Sequence, residues 1–104
     1  MKKKIEIVLH EKVEEFILNL QERDRNKILQ ILCVLGERNL EVSSEWLKKV
    51  TENLWELRIR NCRLFYSIEG NTMKIWHGFI KKTMKIPKRE IELALERMKK
   101  EEIR

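Results

Sequence analysis

The sequence is poor in the features that mark secreted and membrane-spanning proteins. Its 104 residues include only one proline, three glycines and two cysteines. No apolar run approaches the ~20 residues that a membrane-crossing helix needs. The start MKKKIEIVLHEK has an apolar run of about five residues, below the ~7–15 of a signal peptide. We therefore expect a cytoplasmic protein that is not inserted in a membrane.

Cysteine and histidine are also too few, and too far apart, for a metal site. Cys33 and Cys62 form no CxxC pair and have no histidine at ligand spacing. Free thiols in a reducing cytoplasm are expected instead of a disulfide. The chain has no HxH or HExxH motif and no suggestive carboxylate cluster, so neither a metal nor another cofactor is predicted.

Charge is what the sequence has in quantity. Charged residues make up 38% of the chain, the formal net charge is +6 and the isoelectric point is about 9.5. This balance favours nucleic acid, an anionic membrane surface or an acidic protein as partner, without choosing among them. With 42% hydrophobic residues, residues 1–104 should form one domain with a modest core.

The basic stretch Asn53–Arg89 carries the clearest pattern. Apolar and polar residues alternate at its start, which predicts a half-buried antiparallel strand. The residues predicted to face the core are Trp55, Leu57 and Ile59. The residues predicted on the open face are Leu54, Glu56, Arg58 and Arg60. Two further strands, Cys62–Glu69 and Met73–Ile80, flank the hairpin signal Gly70-Asn71 and complete a β-meander.

The N-terminal half predicts a strand followed by two helices. Lys4–Leu9 is expected to be a short strand, and Glu11–Gln21 an amphipathic helix. After a link at Glu22-Arg23, Asp24 is a candidate cap for a second helix. That helix should stop near Gly36 or Asn39.

The segments around the meander are less clear. Leu40–Asn53 predicts only a short helical turn capped by Ser43 or Ser44. Pro87 is expected as the first residue of a last helix, and the charged tail KKEEIR is expected to fray. The predicted order is β-α-α-β-β-β-α, an α+β fold with a small mixed sheet of about four strands and a helical hairpin on one face.

The cations of the meander are the candidate binding residues. Arg58 and Arg60, two apart on the open face, are expected to direct their guanidinium groups at one phosphate, with Arg63 on the same side. Further candidates for phosphate contact are Lys48, Lys49, Lys81, Lys82 and Lys85. For each cation the alternative is a solvated surface side chain.

Three other residues of the meander have two interpretations each. His77 can act as a base or an acid near neutral pH. By alternation it shares a face with Ile75 and Phe79, so a buried structural role is equally compatible with the pattern. Trp76 and Phe65 can stack an unpaired base or belong to the core.

The strings LWELRIR, CRLFYSIEG and HGFIKKTMKIPKREIELA resemble the RelE/HigB-like toxins of type II toxin–antitoxin systems, and within them the phage-derived Gp49-like branch. The resemblance is specific in the C-terminal half and follows element order in the N-terminal half. It implies a RelE/ParE-like fold and a metal-independent mRNA endoribonuclease, an mRNA interferase, acting on the ribosome. It also implies a cognate antitoxin, a helix-turn-helix protein of the HigA-like kind.

The implied reaction is attack of a ribose 2′-OH on the adjacent phosphate. Cleaving relatives carry basic residues at the positions matching Arg58 and Arg63, and a second basic group where Lys81, Lys82 and Lys85 lie. Some relatives carry a catalytic Tyr or His on or near the last helix, and this sequence has neither there. Glu56, Lys82 and His77 are the candidate substitutes for proton transfer.

Two other functions stay open at this point. One is a ParE-like toxin that inhibits DNA gyrase, and the other is a catalytically degenerate RNA-binding relative. In each toxin reading an acidic antitoxin segment should be drawn to the basic domain. The resemblance favours steric inhibition, in which the arginines stay exposed.

Overall fold

The fold is a five-stranded sheet with helices on both faces. The computed structural model describes residues 5–38, 47–51 and 53–103. In chain order the elements are β1 (Glu6–Leu9), α1 (Glu11–Leu18), α2 (Glu22–Arg38), β2 (Leu47–Thr51), β3 (Leu54–Ile59), β4 (Cys62–Glu69), β5 (Thr72–Ile80) and α3 (Lys88–Lys99). This confirms the predicted α+β class and the meander. No helix within the described ranges has the length and apolar character needed to cross a membrane.

The strand order is β1-β5-β4-β3-β2. β1 pairs with β5 in parallel, and the other three pairs are antiparallel. The prediction lacked β2, because Leu40–Asn53 was assigned only a short helical turn. β2 is an edge strand with two adjacent exposed lysines, Lys48 and Lys49. Lysines are common on edge strands because they discourage pairing with another chain, and they also obscure the alternation that reveals a strand.

The first core lies between the sheet and the helical hairpin of α1 and α2. It contains apolar residues of both helices, such as Val13, Ile17, Ile28 and Leu35. Leu57 and Ile59 of β3 enter it, with Trp55 packed at its margin. The face predicted to be buried is therefore buried, and the hairpin covers it as predicted.

The sequence pattern predicted that the opposite face of the sheet is open to solvent, and this prediction is wrong. α3 covers it and forms a second core with residues of three strands. Its fully or nearly buried members are Leu54, Phe65, Trp76, Phe79, Ala94 and Ile103. The expectation of a fraying tail is wrong for Ile103, which is 5% exposed in this second core. Trp76 and Phe65 are thus core residues.

Several predicted helix boundaries are also wrong. α2 already begins at Glu22, so Asp24 lies in its first turn and does not precede it. α2 continues through Gly36, whose carbonyl accepts a hydrogen bond from Ile5 N at 3.1 Å. Pro87 is the residue before α3, with φ −61°. The predicted caps Ser43 and Ser44 and the stop at Asn39 lie outside the described residues.

A β-bulge in β5 decides which side chains face α3. Phe65 pairs with His77, but Tyr66 pairs with Ile75, so Trp76 is an extra residue on β5. Met73 and Ile75 face the first core, whereas Trp76 and Phe79 belong to the second. The alternation that placed His77 on the face of Ile75 is therefore wrong, and His77 lies on the α3 side with Phe79.

Candidate functional site

Cations from four segments meet in one groove on the α3 side of the sheet. β2, β3 and β4 each contribute one, and the chain beyond β5 contributes the rest. The groove has a volume of about 640 Å³. We call it the cationic groove, and it is lined by Lys48, Arg58, Arg63, Lys81, Lys82, Thr83 and Met84. Five of the predicted binding residues are therefore brought together.

The sheet register explains this convergence. Arg58 of β3 lies directly opposite Arg63 of β4, and Lys48 of β2 lies opposite Glu56. Lys81 continues from β5 and donates its backbone N–H to Asn61 O at 2.8 Å, beside the β3–β4 turn. The cations thus come from neighbouring rungs of the same sheet face, where side chains lie within contact distance.

Two arginines directly opposite each other repel, and a buried carboxylate offsets this. Glu56 is 2% exposed. Its Oε1 lies 3.5 Å from Arg58 Nε and 3.9 Å from Arg63 Nε. These are ion-pair distances, longer than hydrogen bonds. One buried negative charge therefore lies between the two arginines that line the cationic groove.

Arg63 is not the open-face cation that the alternation predicted. Its side chain is 10% exposed. Its Nη1 donates hydrogen bonds to Arg60 O at 2.8 Å and to Cys62 O at 2.9 Å. A nine-tenths buried guanidinium is tolerated only because carbonyls and a carboxylate surround it. Arg58, by contrast, keeps 43% of its side chain exposed at the groove.

Arg60 does not join Arg58, contrary to the prediction that both address one phosphate. It lies in the turn after β3 with φ 55°, in the left-handed region. Its Nε donates a hydrogen bond to Asp24 Oδ1 of α2 at 2.8 Å. The turn therefore directs Arg60 to the helical-hairpin side of the sheet.

Two of the predicted lysines also lie outside the groove lining. Lys49 Nζ is 5.9 Å from the centre of the Trp55 ring, at a cation–π distance. Trp55 packs against the first core, on the other side of the sheet from Arg58. Lys85 is exposed, and its carbonyl accepts a hydrogen bond from Thr83 Oγ1 at 2.6 Å.

His77 lies under α3, where both ring nitrogens have partners. Arg97 Nη1 is 3.2 Å from Nδ1, and the Glu90 carboxylate pairs with Nε2. An arginine cannot accept a proton, so Nδ1 is the acceptor and Nε2–H donates to Glu90. Burial lowers the pKa of His77, while the hydrogen bond and the charge of Glu90 act in the opposite direction.

The buried ring of Phe65 separates His77 from the cationic groove. In the pairing across the sheet, Glu56, Phe65 and His77 form one row. Phe65 has no exposed surface, and its ring centroid is 6.2 Å from that of His77. The structure therefore does not bring His77 together with Arg58 and Arg63.

Two features of the site could not be predicted from sequence patterns. Thr83 and Met84 contribute to the groove lining, and no pattern indicated them. Glu56 is a candidate for proton transfer by residue type, but no pattern in the sequence indicates that it lies buried beside the two arginines. The one signal for its role is its position: Glu56 is a single carboxylate between Leu54 and Arg58 on the same strand face, and Leu54 on that face is buried.

Fold and groove together define a small α+β protein that presents a cluster of cations at one end of a β-meander. A family model described as "Phage derived protein Gp49-like (DUF891)" matches residues 15–99. This is most of the chain, and the chain belongs to that family. It is a toxin-like family of toxin–antitoxin systems. A search of curated proteins found no match.

Proposed function

We propose that this protein is the toxin of a type II toxin–antitoxin pair and acts as a ribosome-dependent mRNA endoribonuclease of the RelE/HigB-like kind. Membership of a toxin-like family supports the first part. The observation that carries the second part is the convergence of Arg58, Arg63, Lys48, Lys81 and Lys82 in the cationic groove. Guanidinium groups suit this task because they stay charged and can bind two phosphate oxygens at once.

In the proposed reaction the ribose 2′-oxygen forms a bond to the adjacent phosphorus, and the bond from phosphorus to the 5′-oxygen breaks. The products are a 2′,3′-cyclic phosphate and a 5′-OH. Negative charge on the phosphorane increases in the transition state, where fixed cations stabilise it most. We assign this role to Arg58, which is exposed to the groove, and to Arg63, which is held at its wall.

Proton transfer is the smaller part of the proposed mechanism. Among the described residues that line the groove there is neither a histidine nor a carboxylate. We assign donation of a proton to the leaving 5′-oxygen to Lys82, with Lys48 and Lys81 binding flanking phosphates. We assign acceptance of the 2′-OH proton to water. The ribosome would then supply much of the alignment between the 2′-oxygen and the phosphorus.

The proposed partners are mRNA on the ribosome and an antitoxin of the helix-turn-helix, HigA-like kind. A net charge of +6 gives an acidic antitoxin segment long-range attraction. We propose that inhibition is steric, with the antitoxin blocking entry into the ribosomal A site and leaving Arg58 uncovered. Charge reversal by Arg58→Glu should then change antitoxin affinity by less than about tenfold, or about 1.4 kcal/mol.

The purified protein is tested in a translation reaction in vitro, with primer extension on the message. The proposal predicts 5′-OH ends within codons of translated message, and no such ends on naked message. Intact message together with blocked gyrase supercoiling would favour the ParE-like alternative. RNA binding without any cleavage would favour a degenerate RNA-binding relative.

A further inference from the structure

Two buried polar atoms beneath the cationic groove make no hydrogen bond. Among the buried side-chain nitrogen and oxygen atoms of the described residues, these are Glu56 Oε2 and Arg63 Nε. Most buried polar groups in folded proteins are paired, so each such exception calls for an explanation. Both atoms belong to the one ion-pair cluster that also contains Arg58.

The contacts of the Arg63 guanidinium define which of its nitrogens is left for a ligand. Nη1 donates to the carbonyls of Arg60 and Cys62. Nε faces Glu56 Oε1 at 3.9 Å. The two hydrogen bonds through Nη1 and the ion pair through Nε orient the planar guanidinium, and among the described residues no hydrogen bond or ion pair uses Nη2.

Glu56 also forms an ion pair with Nε of Arg58. Its Oε1 lies 3.5 Å from Arg58 Nε, so one carboxylate oxygen draws the Nε atoms of both arginines towards the floor of the groove. Among the described residues no hydrogen bond involves the distal nitrogens of Arg58, and 43% of the side chain is exposed at the groove. Glu56 itself is 2% exposed and is too buried to meet RNA.

We infer that Glu56 is a positioning residue: it sets the orientation of the Arg58 and Arg63 guanidinium groups for a phosphate in the cationic groove, without touching the RNA. This inference rests on the proposed ribonuclease function. The positioning role also explains why Glu56 pairs with both arginines at distances longer than a hydrogen bond. A carboxylate fully paired with either arginine would occupy the nitrogens that the phosphate needs, whereas an ion pair through Nε leaves them available.

The test is the isosteric variant Glu56→Gln, measured by steady-state cleavage on programmed ribosomes. Loss of orientation should lower kcat by about tenfold to a hundredfold, the size expected when reacting groups are misplaced by about 1 Å. KM should stay the same or fall, because the groove loses its negative charge. The matched control is Glu69→Gln, which removes an exposed pair with Lys74 at 3.0 Å and should leave both parameters unchanged.

A purely structural role for Glu56 predicts a different pattern. Cleavage would then fall only in proportion to the folded fraction, with kcat per folded molecule unchanged, and that result would overturn the inference. A rise in kcat would also overturn it, since Glu56 would then merely compete with the phosphate. If Glu56→Gln does not fold, Glu56→Asp keeps the charge and shortens the reach. The same selective loss of kcat is expected there, and wild-type kcat would contradict it.

A second readout separates this inference from the proposed function. In ¹⁵N NMR spectra the Nε–Hε signals of Arg58 and Arg63 should be sharp and distinct in the wild type, where each guanidinium has one orientation, and should broaden or merge in Glu56→Gln. If the wild type cleaves no message, the proposed function fails, but these signals still decide whether Glu56 orients the arginines. Unchanged signals in the variant would overturn the positioning role.

Discussion

At the scale of single residues, the site depends on a charge trio in which two partners are buried. Glu56 and Arg63 are 2% and 10% exposed in their side chains, while Arg58 remains 43% exposed. Removing one member of a buried pair leaves the other charge uncompensated, which costs more than the pair itself contributes. The three residues should therefore differ sharply in their effects on stability.

Arg63→Ala should lower the free energy of unfolding by about 3 kcal/mol. The substitution takes a compensating charge from Glu56 and a donor from the Arg60 and Cys62 carbonyls. Arg58→Ala should cost about 1 kcal/mol or less, because its side chain is partly solvated. Urea unfolding of both variants measures the difference, and equal losses would contradict the burial argument.

His77 should make stability depend on pH. Burial lowers its pKa in the folded state from 6.5, so the unfolded chain takes up the proton first as the pH falls. The contribution to stability is complete above about pH 6.5 and is lost as the pH falls towards the folded pKa, by at most about 1.4 kcal/mol per pH unit.

The check is urea unfolding of wild type and His77→Gln at about pH 7.5 and about pH 5.5, on either side of the ordinary histidine pKa. The variant should lose less stability between the two pH values than the wild type does. The two proteins differ only at residue 77, so the difference between their pH dependences reports on His77. The same pH dependence in both would mean that His77 is as easily protonated in the folded protein as in the unfolded chain.

At the scale of elements, alternation predicted the strands of the meander but failed where the backbone departs from a regular strand. The first core face of β3 follows directly from Trp55, Leu57 and Ile59. The bulge at Trp76 and the turn at Arg60 could not be predicted in this way. The residue types at these positions indicate neither an extra residue in the strand nor a positive φ. Those two irregularities moved His77 and Arg60 away from their expected places.

The second core could not be predicted from local sequence patterns either. α3 was predicted, but which sheet face it covers depends on contacts between distant residues such as Leu54 and Ala94. On this face of the sheet Glu56 and Arg63 are buried, and Arg58 remains exposed at the groove. The five groove cations could thus be named from the sequence, whereas their burial and their shared carboxylate could not.

Gly78 of β5 permits α1 to pack closely on the sheet. A Cβ at this position would lie 2.6 Å from Phe16 Cδ2 and 2.9 Å from Leu64 Cδ2. Gly78→Ala should therefore destabilise the protein by about 1–3 kcal/mol, as overpacking does.

The matched control is Gly36→Ala in α2, where an added Cβ would lie at an ordinary 3.5 Å from Ile5 O. There alanine should be neutral or stabilise by about 0.5–1 kcal/mol, because it favours the helix more than glycine does. Thermal unfolding compares the two variants. A neutral Gly78→Ala would show that Phe16 moves aside at no cost.

At the scale of the whole molecule, the cationic groove combines with a net charge of +6 to favour a polyanion. If all five groove cations contact phosphates, the logarithm of the affinity for single-stranded RNA should fall with the logarithm of the salt concentration. The expected slope is about −3.5, or about −0.7 for each contact.

Filter binding over a salt series measures this slope. Replacing Lys82 with alanine should make it shallower by about 0.7. Arg23→Ala on α2 is the control, since this exposed arginine lies on the other side of the sheet. A flat salt profile for the wild type would mean that the groove makes no phosphate contact.

The most direct test of the account is the rate of message cleavage on programmed ribosomes by wild type and Arg58→Ala. Removing one cation that stabilises the phosphorane should slow cleavage by about 10–1000-fold. The variant should remain folded, and Arg23→Ala should cleave at the wild-type rate. The account predicts this contrast, with a 5′-OH at the cleaved end. Equal rates for wild type and Arg58→Ala would contradict the assignment of the cationic groove as the catalytic site.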